Sequence, residues 1–249
     1  MRKYGCIKDR PDKRDYLMRA YLPVGKIPLK VDYTKKMSPV RDQGEEGTCV
    51  GFAGAVGMKE YQEKIDYGKL VKLSPRFLYE ETRKVDGIYE AEGITIRSAL
   101  KILANKGVCQ EKYWPYKSKK ITGAVKDAKK FKVKTYARIL NLNELRRSIA
   151  KKGPCIIGIA VFEGMQETIT GRVPMPKQSS VYYGGHAICP IGYDDKKKLI
   201  KFKNSWGLKW GEKGYGYLPY TYIENFMLDA WSSIDINDPN PLTIESIKS

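Results

Sequence analysis

The sequence predicts an α+β protein of two unlike lobes with a cleft between them. Two observations carry this: apolar residues recur at helical spacing in the first half of the chain, and short apolar runs of strand character replace them in the second. With 249 residues and 42% hydrophobic content the chain can bury a large core, which sets aside a disordered or fibrous class.

Residues 1–26 read as an N-terminal arm, because Asp9, Arg10, Pro11, Asp12, Lys13, Arg14 and Asp15 crowd a polar stretch with neither helical nor strand period. Two placements stay open for it, wrapped on the body or loose. The run from Ile27 to Tyr33 is extended in character, and Ser38-Pro39 sets another extended step before Val40. From Cys49 on, Phe52, Ala53, Val56, Gly57 and Tyr61 keep helical spacing, with Gly47 or Thr48 as N-cap, so Cys49 belongs in the opening turn of a buried helix. Its glycines weaken its propensity, so packing must hold it. Ile96, Ala99, Leu100 and Leu103 mark a second helix that Gly107 stops, and a third runs from Leu142 to Lys151 with Gly153-Pro154 ending it.

Strand character begins at Cys155 to Val161. Ala187 to Tyr193 and Leu199 to Phe202 read as a β-hairpin turning through Asp194-Asp195-Lys196. The expected division is a body over 27–235, with a helical lobe mainly over 40–130 and a β lobe mainly over 131–222, followed by a tail over 236–249.

Lys+Arg number 46 against 28 Asp+Glu, a net charge of +18 that attracts acidic partners at long range. No basic cluster is interleaved with stacking aromatics, so a solvated surface is the expectation and nucleic-acid binding has no support beyond net charge. The N-terminus has no apolar run of signal-peptide length and no stretch approaches a membrane span, which gives a soluble, cytoplasmic monomer as the reading. The five cysteines, Cys6, Cys49, Cys109, Cys155 and Cys189, are an odd and scattered set without metal-ligand spacing, so at least one thiol is free and a reducing compartment is expected.

The chain has a single histidine, His186, at the entry of a predicted strand, and any imidazole chemistry must use it. Cys49 follows a glycine-bearing turn at a helix start, where the peptide dipoles favour a thiolate and a nearby imidazolium would lower its pKa further. Asn204 lies at a hairpin's far end, where its side-chain carbonyl can accept the imidazole N–H and hold one ring orientation. The other four cysteines read as structural, and Glu45 and Glu46 as an exposed acidic turn.

Five blocks in order resemble the papain family of cysteine peptidases: Pro39-Val40-Arg41-Asp42-Gln43-Gly44 with Gly47-Thr48-Cys49; Leu73-Ser74-Pro75; Gly107-Val108 with Trp114-Pro115-Tyr116; Gly185-His186-Ala187; and Asn204-Ser205-Trp206-Gly207 followed by Trp210-Gly211-Glu212 and Gly214-Tyr215-Gly216. The spacing from Cys49 to His186, 137 positions (186 minus 49), fits the family's separation of about 130–150. The likeness runs from about Ile27 to about Ile223. It implies a papain-like fold, with a helical left lobe, an antiparallel β-barrel-like right lobe and the active-site cleft between them. It also implies that Gln43 and the Cys49 N–H form an oxyanion hole, that Trp206 covers the His186–Asn204 hydrogen bond, and that Gly93 offers backbone to extended substrate beside Gly185.

Departures from the family pattern are Glu46 where secreted members carry a disulfide cysteine, Val50 for an aromatic after the nucleophile, and Gly185 for a polar residue before the histidine. The arm is too short to resemble the usual propeptide. The expected activity is hydrolysis of a peptide or protein substrate, by endo- or exopeptidase action, without metal or cofactor. Two alternatives stand beside it: ligase or amidase work by the same acyl-enzyme, and a silent binding or regulatory protein on the same scaffold.

Overall fold

The run from Cys49 to Tyr67 is helical throughout, but its hydrogen bonding changes along the way. It is an α-helix over Cys49–Gly51, a π-helix over Phe52–Lys59 and an α-helix again over Glu60–Tyr67. Its three glycines explain how so poor a helix former persists. A Cβ on Gly51 would stand 2.6 Å from the Pro75 carbonyl oxygen, on Gly54 2.8 Å from a Leu78 methyl, and on Gly57 2.6 Å from the Cys189 Cβ. What the helix loses in propensity it regains in close packing against its neighbours. It is buried along nearly its whole first half, as the apolar spacing requires.

The computed structural model describes residues 3–87 and 92–235, so the expected tail over 236–249 lies outside the described residues. A helix over Pro75–Asp86 was not among the expected elements, although its signals are present: Ser74 caps it by accepting the Phe77 N–H at 3.0 Å, Pro75 opens its first turn, and Gly87 closes it at φ +66°. The second expected helix spans Ile96–Asn105 and the third Leu142–Lys152. Gly107, at φ +81°, stops the former in a left-handed turn so tight that a Cβ would meet the Ala128 oxygen at 1.9 Å.

The strands are β1 (Cys6–Ile7), β2 (Lys30–Asp32), β3 (Ile94–Thr95), β4 (Val133–Arg138), β5 (Ile156–Phe162), β6 (Tyr182–Asp194), β7 (Leu199–Lys203), β8 (Tyr215–Pro219) and β9 (Met227–Asp235). Seven of them form one antiparallel sheet in the order β4-β9-β5-β6-β7-β8, with β2 added on β6. The sheet thus continues past the expected lobe boundary at 222 to residue 235. β9 escapes sequence reading because buried Asp229, Ser232 and Ser233 interrupt its apolar pattern while Ala230, Trp231 and Ile234 fill the core.

Two main cores form, the first mostly under the helices and the second mostly under the sheet. Phe77, Leu78, Leu100 and Leu103 centre the first, and Ile157, Ile188, Phe202 and Tyr222 the second. The arm does not stay loose: β1 pairs in parallel with β3, outside the large sheet, in register Cys6 to Ile94 and Ile7 to Thr95. Among the described residues no helix is long and apolar enough to cross a membrane.

Candidate active site

Cys49 is the first helical residue after Thr48, whose backbone at φ −100° and ψ 14° forms the N-cap without a side-chain capping bond. The Thr48 hydroxyl turns instead to the Tyr116 hydroxyl at 2.7 Å, and Tyr116 donates to the Gln43 carbonyl oxygen at 2.6 Å. These bonds tie the turn before Cys49 to the helical lobe. Tyr116 was visible in the sequence only as part of an aromatic block with no role attached.

His186 stands in β6 opposite Ile159 of β5, fully buried. Its Nε2 lies 2.8 Å from Asn204 Oδ1. Asn204 follows β7, which pairs with β6, and its backbone N–H bonds the Gly214 oxygen at 3.0 Å. The same Oδ1 accepts the Ser205 N–H at 2.8 Å, so the amide is fixed from its own loop. The Trp206 ring lies over the imidazole, centroids 4.7 Å apart, and Trp210 braces Trp206 edge-on at 5.2 Å. An apolar cover of this kind keeps water from competing for the His186–Asn204 bond.

Gln43 is held at both ends of its amide. Its Oε1 accepts the Ser205 hydroxyl at 2.6 Å and its Nε2 donates to the Glu46 oxygen at 2.8 Å. The second bond decides which end is nitrogen, because a backbone carbonyl can only accept, and the other Nε2 hydrogen remains as a donor of the amide group. The Gln43 N–H to Ser205 oxygen bond of 2.8 Å joins the Gln43 loop to the Asn204 loop, so the three residues form one rigid assembly across the lobes.

The backbone N–H groups of Ala187 and Gly5 lie near enough to the Cys49 sulfur to favour its thiolate. Since Ala187 is the next residue to His186, sulfur and imidazole belong to one site. Burial pushes the Cys49 thiol up, with the N–H groups of Ala187, Gly5, Val50 and Cys49 itself acting the other way. This departs from the expected lowering, and the reason is that the side chain is wholly covered.

The cover is the arm. The Tyr4 ring meets His186 and Trp206 edge-on at 6.2 Å each and stacks on Tyr183 at 6.2 Å. The Gly5 oxygen accepts the Ile94 N–H at 3.0 Å, and Cys6 is buried beside Gly158 of β5. Cys6, read from the sequence as structural, therefore lies in the cleft. Gly93 lines it at φ +118°, but its own N–H bonds the Tyr79 hydroxyl at 3.2 Å, and the neighbouring Ile94 N–H is the group offered to extended chain. Gly185 faces the Cys6 oxygen, which a Cβ would approach to 2.2 Å. Among the described residues no group of three or more metal-ligating side chains exists.

Comparisons with known proteins bear on the family and the fold. Residues 27–227 match the family described as papain family cysteine protease. An uncharacterized peptidase C1-like protein of Acanthamoeba polyphaga mimivirus is 31% identical over 276 residues, covering 96% of this chain and 88% of the relative. Mouse cathepsin K is 32% identical over 202 residues, with 78% of this chain matched to 60% of its length. The crystal structure of xylellain, a cysteine protease from Xylella fastidiosa, superposes with a TM-score of 0.86 at 30% identity, covering 95% of this chain and 98% of that one. A fold shared over almost its whole length, with the cysteine, histidine, asparagine and glutamine in place at the lobe junction, makes this chain a member of the papain family of cysteine proteases.

Proposed function

We propose that the protein hydrolyses peptide bonds by acyl transfer to water, with Cys49 as nucleophile. The thiol loses its proton to His186 Nδ1 as the sulfur attacks the peptide carbonyl carbon. The oxyanion then falls to the Cys49 N–H and the second hydrogen of Gln43 Nε2, each such donor being worth about 2.7–4 kcal/mol in the transition state. His186 returns the proton to the leaving amine, next takes one from water, and the thioester is hydrolysed. Asn204 accepts from Nε2 throughout and so leaves Nδ1 for the proton traffic.

The observation that carries this reading is the 2.8 Å His186–Asn204 bond, with the buried Cys49 beside Ala187, the residue next to His186. Replacing Cys49 by Ala and His186 by Ala should each abolish turnover of a fluorogenic peptide while circular dichroism stays near native. Activity persisting in Cys49→Ala sinks the assignment.

The cleft seats chain on both sides of the sulfur, Tyr4 toward His186 and Cys6 toward Ile94, which favours endopeptidase over exopeptidase action. Transfer to an amine would use the same acyl-enzyme, and product masses with added amines separate it from hydrolysis. All five cysteines are unpaired and buried, which supports a reducing, cytoplasmic setting.

A further inference from the structure

Nine of the 23 residues from Lys112 to Lys134 are lysine, none is arginine, and Asp127 is the one carboxylate among them, so this stretch holds +8 (nine minus one) of the chain's +18. Asp127 does little to neutralise it. It is buried, accepts the Gln110 N–H at 2.8 Å and Gln110 Nε2 at 3.0 Å, and of the nine lysines bonds only Lys130, at 3.1 Å. Lys120 reaches Glu81, outside the stretch, at 3.6 Å. Lys117, Lys119, Lys126 and Lys129 are exposed and form no ion pair among the described residues.

A short helix over Ala124–Ala128 turns part of this charge outward. It starts after Gly123, at φ +96°, and buries Ala124, Asp127 and Ala128, which leaves Val125, Lys126 and, one residue beyond its end, Lys129 in solvent. Ahead of it the Ile121 N–H donates to the Tyr113 oxygen at 2.8 Å and pins the loop, while the Ile121 side chain stays outside. An open groove is lined by Lys120, Ile121, Val125, Lys126 and Lys129. A second, lined by Lys117, Lys119 and Lys120 with Arg76, Glu46 and Glu80, shares Lys120 with the first. Arg76 bonds both glutamates, at 2.5 Å and 3.2 Å, so the joined face has six cations against two carboxylates, a charge of +4.

Ile121 is 52% exposed and Val125 49%, so about half of each side chain remains to be buried, and both share a groove with three lysines. The aromatics of the stretch offer bases little to stack on. Tyr116 and Phe131 are buried, Lys120 lies over the Trp114 ring at 5.2 Å and Lys112 over Tyr113 at 5.2 Å. The one guanidinium fork, Arg76, is committed to carboxylates, and the lysines act as point charges.

We infer that the face from Lys117 to Lys129 docks on a bilayer surface rich in anionic phospholipid, with the lysines over the headgroups and Ile121 and Val125 entering the interface. Apolar side chains beside lysines gain nothing from a nucleic acid, whereas a bilayer takes up both kinds of group at one depth. The attachment is peripheral and reversible, and a cytoplasmic leaflet supplies the charge it needs.

The full chain tests this by co-sedimentation with phosphatidylcholine vesicles, with and without about 30 mol% phosphatidylserine, in about 0.1 M salt. Wild type should bind the mixed vesicles and leave the neutral ones. Replacing Lys117, Lys119, Lys126 and Lys129 together by Gln should lower the partition constant by more than about 100-fold, at about fivefold per lysine. Gln at Lys151, Lys196, Lys197 and Lys198 removes the same charge from exposed positions beyond this face and should leave binding near the wild-type value. Ile121→Ser combined with Val125→Ser keeps every charge and should still weaken binding about tenfold through lost apolar burial. Wild type that binds neither kind of vesicle, or both equally, overturns the docking. Equal losses in the two lysine variants would trace binding to net charge alone and overturn it as well. If the serine pair binds as tightly as wild type, or if an equimolar single-stranded oligonucleotide displaces wild type from the vesicles, the bilayer is the wrong partner.

Discussion

Asn204 Oδ1 and His186 Nε2 lie 2.8 Å apart because β6 and β7 are antiparallel neighbours, which brings residues 18 apart in sequence into one hydrogen bond. The bond fixes the imidazole tautomer and plane, and it strengthens when the ring becomes cationic. Asn204→Ala should therefore lower kcat without large change in KM. A hydrogen bond to a charged group contributes about 1.5–3 kcal/mol, so the loss should be about 10- to 100-fold. Steady-state kinetics checks it, and an unchanged kcat would remove Asn204 from the mechanism.

Gln43 is held by Ser205 and Glu46 so that its amide cannot swing out of the junction. Gln43→Ala should cost about 10²–10³ in kcat, with thiol labelling of Cys49 preserved, because the oxyanion forms only after the sulfur has attacked. Parallel loss of labelling and turnover would point to a structural role instead.

Gly57 is a helix residue at which alanine, ordinarily the better helix former by about 1 kcal/mol, should be harmful. Its Cβ would stand 2.6 Å from the Cys189 Cβ on β6, forcing helix and strand apart. Gly57→Ala is expected to lower stability by about 1–3 kcal/mol in urea unfolding, with a matching fall in Tm. A rise in Tm would show that the interface can relax around a methyl group.

Glu81 supplies an acid-sensitive contribution to stability away from the cleft. Burial alone would raise its carboxyl, but hydrogen bonds from Lys106 at 2.8 Å and Lys84 at 2.6 Å outweigh burial and hold it at about 2. A carboxyl depressed in the folded state contributes fully above its ordinary value of 4.5 and loses that contribution as pH falls toward 2. Glu81→Gln should accordingly lower Tm near neutrality and show a shallower Tm loss between pH 4.5 and pH 2 than wild type, measured by differential scanning calorimetry.

Much of the site was legible in the linear chain. A lone His186, a cysteine behind a glycine-bearing turn, and an asparagine at a hairpin end are local signals, each with its own chemistry. The helices over Ile96–Asn105 and Leu142–Lys152 were legible too, because apolar period and stop residue agree in both. Less visible were β9, whose buried Asp229 and serines break the pattern, and the helix over Pro75–Asp86, whose cap residues stand out only once the helix is known.

Sequence by itself thus determined the family and the fold class and named the candidate reacting groups, since these depend on residue type and near-neighbour spacing. Tertiary structure alone decided where the arm goes and that the Cys49 thiol is wholly buried. Tyr4, Gly5 and Cys6 meet glycines from four separate places in the chain, at positions 47, 93, 158 and 184–185, and Asp9 meets a carboxylate 220 residues away. No periodicity encodes such contacts. They exist only after two lobes have packed and left a groove whose width is set by the absence of side chains along its walls.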